Sequence, residues 1–89
     1  MWDWDEPKRQ ANLAKHGVDF AEMDRFDWSS ADIRADDRFD YGETRKSALG
    51  LIEGRLFAVS YTERGAITRI ITLRKANERE KRQWSINEK

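Results

Sequence analysis

Arg69-Ile70-Ile71-Thr72-Leu73-Arg74-Lys75-Ala76 is an apolar, β-branched run bracketed by cations, and it reads as one buried strand carrying basic side chains. Strict alternation places Arg69 with Ile67, Ile71 and Leu73, and Arg74 with Ile70 on the opposite face. The cations share a face only if a bulge or the sheet edge re-aims one of them. The charge of the chain changes around this stretch. Residues 1–44 hold 12 Asp/Glu and 6 Lys/Arg, a net of −6, and residues 45–89 hold 5 Asp/Glu and 11 Lys/Arg, a net of +6. A formal charge of zero therefore conceals a molecule dipolar along its sequence. A basic face is the footprint of a surface that meets phosphate. Cations that only solubilise the outer side of a sheet give the same composition.

Working outward, Ile67 to Leu73 is the most apolar segment and is expected to be the central strand. Glu63-Arg64-Gly65 makes a tight connection upstream, with Gly65 supplying positive φ. Arg55 to Glu63 runs back with Phe57, Val59 and Tyr61 on one face, and Glu53-Gly54 turns into a strand over Arg45 to Ile52. Ala31 to Arg34 reads as a weaker strand, and Trp2-Asp3-Trp4 alternates as a short one. Downstream, Asn77-x-x-Glu80 caps a helix that is polar almost all round, docked by Trp84 and Ile86. Near the N-terminus, Asp5 caps a helix opening at Glu6-Pro7. Pro7, Ala11, Ala14 and Val18 follow helical spacing, and Gly17 stops the helix. Asp19 and Glu22 predict a capping box for a second helix that turns Phe20, Met23 and Phe26 inward, with Val18 stapled to Met23. The expected architecture is α+β: two N-terminal helices packed on a three- to four-stranded antiparallel sheet, with a C-terminal helix.

Eighty-nine residues make a single domain spanning 1–89. Apolar and charged residues each make up 38%, so the core is lean, and four Trp, four Phe and two Tyr supply much of its bulk. With no Cys there is no disulfide framework and no thiolate nucleophile or metal ligand. The sequence has no leader-like segment and no apolar run near membrane-spanning length. The expectation is a soluble cytoplasmic protein that does not associate with membranes.

Five cations are candidates for meeting an anion: Arg45 at the start of a strand, Arg64 at a hairpin tip, and Arg69, Arg74 and Lys75 on or beside the last strand. An Arg among Ile and Leu must find a carboxylate or a ligand phosphate, and Glu80 or an N-terminal Asp can serve as the carboxylate. His16, the only histidine, ends the first helix beside Lys15, where the helix dipole favours positive charge. It is either an ordinary capping residue or a substrate contact. Trp84, beside Lys81 and Arg82, either stacks a base or pegs the last helix. The acidic run Asp32, Asp36, Asp37 and Asp40 matches no calcium loop and reads as a solvated segment. There is no Gly-rich phosphate loop, zinc-binding His pair or convincing catalytic triad, so neither metal nor cofactor is expected.

Asp5-x-x-Lys8-x-x-x-Asn12-x-x-Lys15-His16-Gly17-Val18-x-Phe20 resembles the N-terminal signature of the BrnT family of toxins. Arg45 with Leu49-Gly50, Thr62-x-Arg64, Arg69 through Ala76, and Glu80 resemble the same family in the same order, over roughly residues 2 to 84. The resemblance implies a compact RelE-like fold and a ribonuclease that halts translation. It also implies an antitoxin partner with a ribbon-helix-helix DNA-binding part, through which alone operator DNA would be bound. Metal-free cleavage by the 2′-OH requires in-line geometry, neutralisation of charge on the phosphorane, and transfer of two protons. Arg64 and Arg74 are the candidates for charge stabilisation, His16 and Glu80 for proton transfer. Arg45, Arg69, Lys75, Trp84 and Lys15 are the candidates for holding RNA. Such toxins are usually basic overall, and Trp84 stands where a tyrosine is expected. These departures support an alternative: a catalytically weak or inactive module acting by binding its antitoxin or another protein. A toxin with a protein target and a plain structural subunit are further alternatives. The opposite charges of the two halves favour head-to-tail self-association, and a homodimer within the toxin–antitoxin complex is a further expectation.

Overall fold

The structure is a computed structural model describing residues 2–36 and 45–87. Strands β1 (Trp2–Trp4), β2 (Phe26–Asp36), β3 (Arg45–Ile52), β4 (Arg55–Arg64) and β5 (Ile67–Lys75) form one sheet in the order β1-β5-β4-β3-β2. β1 runs parallel to β5 and the remaining pairs are antiparallel. Helix α1 (Glu6–His16) and a 3₁₀ segment (Phe20–Arg25) connect β1 to β2, and α2 (Glu78–Asn87) follows β5.

The α+β class is as expected, but three features differ. The sheet has five strands and is mixed, because the short Trp2–Trp4 segment joins the far edge beside β5 in parallel. β5 is interior, and β4 is the middle strand. The second N-terminal helix is only a 3₁₀ segment. Asp19 caps it by accepting from the Ala21 N–H at 3.0 Å, but Glu22 turns away to Arg25, so the capping box is half made. The Phe26 N–H then bonds back to Met23 O, and Phe26 enters the sheet.

One face of the sheet is dry. Val18, Phe20, Met23, Phe26, Phe57, Val59, Tyr61, Ile70 and Leu73 pack there under the α1 layer, with Trp2, Trp4 and Trp28 closing the rim. Trp28 sits 4.6 Å from Phe26 and 5.4 Å from Tyr61, ring centre to ring centre. Gly50 of β3 lies directly beneath the Phe26 ring, so a methyl group there would come within 2.7 Å of Cε2.

The only buried residue of α1 is Asn12, not the alanines expected from helical spacing; Ala11 and Ala14 are exposed. The cause lies in the sheet. β1 ends opposite Ile70, so beyond that point the edge of β5 has no neighbouring strand. Asn12 fills the gap. Its Oδ1 accepts from Leu73 N–H at 3.2 Å, and its Nδ2 donates to Leu73 O at 2.7 Å and to Val18 O at 3.0 Å. Buried backbone groups that would otherwise be orphaned are satisfied by one carboxamide.

α1 begins at Glu6 as expected, although the Asp5 side chain makes no capping bond, and it ends at Gly17 with φ of 71°. α2 is capped reciprocally: Asn77 Oδ1 accepts from Glu80 N–H at 2.8 Å, and Glu80 Oε1 accepts from Asn77 N–H at 2.9 Å. Among the described residues no helix is long and apolar enough to cross a membrane. The acidic and basic halves of the sequence do not become two lobes. The strands of the acidic half, β1 and β2, flank the basic strands on both edges.

Candidate functional site

The opposite face of the sheet is polar, and a bulge makes it so. Ser60 pairs with Thr72 while Tyr61 pairs with Ile70, leaving Ile71 as an extra residue in β5. Alternation restarts across the bulge, so Ile70 and Leu73 both enter the dry core. Arg69, Thr72 and Arg74 consequently all lie on the other face. Neighbouring strands extend this face in rows. Arg45, Thr62, Arg69 and Asp3 are successive cross-strand partners, as are Arg34, Ser47, Ser60 and Thr72, and then Asp32, Leu49, Ala58 and Arg74.

α2 borders this face. Trp84 packs near Leu49, Leu56 and Ala76, and its indole N–H donates to Ser30 O at 3.2 Å. That is the geometry of a peg. Beside it lies an open depression of about 220 Å³, with Ser47, Ser60 and Thr72 in its floor and Arg34, Arg74 and Glu80 among its walls.

Arg74 grips Glu80 in a two-point fork, Nη1 to Oε1 at 2.7 Å and Nη2 to Oε2 at 2.9 Å. The guanidinium, helped by the Asn77 N–H, holds the Glu80 carboxyl below the usual carboxylate range, against the opposing effect of burial. Glu80 in turn raises Arg74. Arg69 is 3.3 Å from Asp3, the N-terminal aspartate pairing foreseen for a strand arginine. Arg34 pairs with Asp32 at 3.3 Å, and Gln83, with its amide oxygen turned toward the donors, accepts from Arg34 Nη1 at 2.9 Å.

The expected site residues thus divide. Arg45, Arg69, Arg74 and Glu80 share the polar face, with Trp84 at its border. Arg64 is exposed at the end of β4 and does not line the depression. Lys75 is exposed at the end of β5, on the parity of Leu73. Lys15 and His16 belong to α1 and line a separate groove with Ile71 and Thr72. Thr72 borders both concavities. Sequence reading missed Arg34, Asp32 and Gln83 as parts of this face. The spacing of Asp32 and Arg34 within a recognised strand was the available signal, since residues two apart share a face. Asp37 and Asp40 lie outside the described residues. Among the described residues no three His, Cys, Asp or Glu side chains gather as a metal would require.

A small mixed sheet with one dry face and one face bearing arginines and hydroxyls defines a class: compact α+β proteins whose open polar surface suits an anionic ligand. The family model described as "Ribonuclease toxin, BrnT, of type II toxin-antitoxin system" matches residues 4–80. The chain therefore belongs to the BrnT family of ribonuclease toxins, as the sequence resemblance implied, and membership implies an antitoxin partner. A search of curated proteins gives no match.

Proposed function

We propose that this protein is a metal-independent endoribonuclease that arrests translation and is neutralised by a ribbon-helix-helix antitoxin, through which the pair would reach operator DNA. The observation that carries the reading is the bulge at Ile71, which sets Arg69 and Arg74 on the same face as Arg34 and Arg45. In the proposed reaction the 2′-OH attacks the adjacent phosphorus and the 5′-oxygen leaves. Arg74 stabilises charge on the phosphorane, because a guanidinium matches phosphate oxygens in a fork. Arg64, six residues along β4 from the partner of Arg74 and so roughly 20 Å away, would stabilise charge on RNA further along the face. Arg45 and Arg69 position the backbone, with Lys75, Lys15 and Trp84 as further RNA contacts. Glu80, held ionised, suits a proton acceptor, and His16 suits the complementary proton donor. RNA reaching both would have to pass over the β5 edge at Thr72.

A second reading is favoured by one contact. The Arg74 fork is already filled by Glu80, a closed pair that suits a module binding its antitoxin or another protein without cleavage. Purified protein incubated with total RNA in EDTA, with and without ribosomes, separates the two. Cleavage by wild type and none by Arg74→Ala supports the ribonuclease; intact RNA in both conditions removes it and leaves the binding module.

A further inference from the structure

The cations of the polar face are mostly neutralised: Arg34 by Asp32, Arg69 by Asp3 and Arg74 by Glu80. On α1, Arg9 is held by both Glu6 and Asp19. Lys8, Lys15 and His16 are different. Among the described residues none of them forms an ion pair or side-chain hydrogen bond, yet all three line one groove of about 260 Å³ between α1 and β5. Lys8 and Lys15 are seven residues apart, two helical turns along one stripe, or roughly 10 Å along the axis. Both are exposed.

Lys15 and His16 are explained in part by the helix C-terminus, whose dipole favours cations. Lys8 is not. It lies in the first turn of α1, where the dipole disfavours a cation, and the carboxylate of that turn, Glu6, is engaged by Arg9 and Gln10 instead. The bulge residue Ile71 and Thr72 form the opposite wall, and Thr72 also borders the depression beside Arg74. The groove therefore meets the polar face at Thr72, with a largely apolar floor and with Lys8, Lys15 and His16 along it, none of them in an ion pair among the described residues.

We infer that the α1–β5 groove is a phosphate-binding track for single-stranded RNA, with Lys8 and Lys15 each contacting a backbone phosphate. The inference rests on the ribonuclease reading and adds the route of the substrate: it enters along α1 and crosses β5 at Thr72 to reach Arg74. Lysines seven residues apart on one helical stripe give a linear array of charge, which suits a polyanionic strand.

The test is binding of a fluorescent single-stranded 2′-O-methyl RNA, which cannot undergo 2′-OH attack, measured by anisotropy across a salt series. Lys8→Gln/Lys15→Gln should flatten the dependence of log K on log salt by about 1.4, and each single change by about 0.7, the contribution of one phosphate contact on a single strand. Lys8→Arg/Lys15→Arg should restore the slope. Melting curves check that the variants fold. If wild type binds and the glutamine variants keep its slope, the groove proposal is overturned while the ribonuclease reading stands. If the glutamine variants lose the antitoxin but not RNA, the groove is a dock for an acidic peptide, and the proposal is equally overturned. If wild type binds no RNA, the groove proposal falls, while the ribonuclease reading is decided separately by the cleavage assay with ribosomes.

Discussion

The two faces of the sheet are built from the same strands and do opposite things. Toward α1, side chains from β3, β4 and β5 interlock with Phe20, Phe26 and three tryptophans, and among the described residues no charged side chain is buried with them. Toward α2, the same strands present Ser47, Ser60, Thr62, Thr72 and arginines, with a small apolar patch under Trp84. A lean chain thus concentrates its stability on one side and leaves the other free to carry charge. The comparison teaches where tolerance should lie: substitutions on the dry face should unfold the protein, and those on the polar face should change what it does.

The largest effect expected is Phe20→Ala. Phe20 is fully buried and meets Trp4 edge to face at 6.1 Å. Its loss should cost about 3–5 kcal/mol. At roughly 4–8 °C per kcal/mol for a domain of this size, the thermal midpoint should fall far enough to leave little folded protein near 37 °C. A midpoint near that of wild type would break the division between the faces.

Asn12→Ala comes next, since it leaves the N–H and C=O of Leu73 and the C=O of Val18 without their partner. A loss of at least about 1–3 kcal/mol is expected, with faster amide exchange at Leu73. Gly50→Ala should cost a similar amount by overpacking against Phe26, which Trp28 keeps from swinging aside.

Arg74→Ala should sharpen the contrast from the other side. The pair it breaks is partly exposed, and Glu80 keeps its capping bonds to Asn77, so the stability change should stay within about 1 kcal/mol while RNA cleavage is abolished.

The smallest effect is a pH response at α2. Glu80 titrates below its ordinary value in the folded chain, so its contribution is fully present above the usual glutamate pKa of about 4.3 and is lost as pH falls through the lowered folded value. The indole N–H resonance of Trp84, bonded to Ser30 O, should shift in that acidic window and remain constant from there to neutrality.

Much of this division was legible in the sequence. β3 begins and ends where alternation and the Glu53-Gly54 turn place it. Asn77 and Glu80 announce the start of α2, and Gly17 the end of α1. The family was legible too, because its motifs are spread along nearly the whole chain. Other features depend on partners distant in sequence. Nothing local to Trp2-Asp3-Trp4 says that it lies parallel to β5. Asn12 looks like a surface residue until β1 is seen to stop opposite Ile70, three positions short of Leu73. Phe26 looks like part of a helical stripe until Gly50, on another strand, provides the space for its ring. For the candidate site, alternation alone sends Arg69 and Arg74 to opposite faces, since an unpaired residue is a property of two strands together.

That extra residue acts as a phase shift. Upstream of Ile71 the odd-numbered positions of β5 face the polar side; downstream the even-numbered ones do. Removing Ile71 would leave a strand in which plain alternation keeps Ile70 and Leu73 on the dry face and Arg69, Thr72 and Arg74 on the polar one, with the pairing to β4 unbroken. The bulge is thus an accommodation of length: the residue it absorbs is the one the pairing can spare, and substitution or deletion of Ile71 should both leave Arg69 and Arg74 on one face.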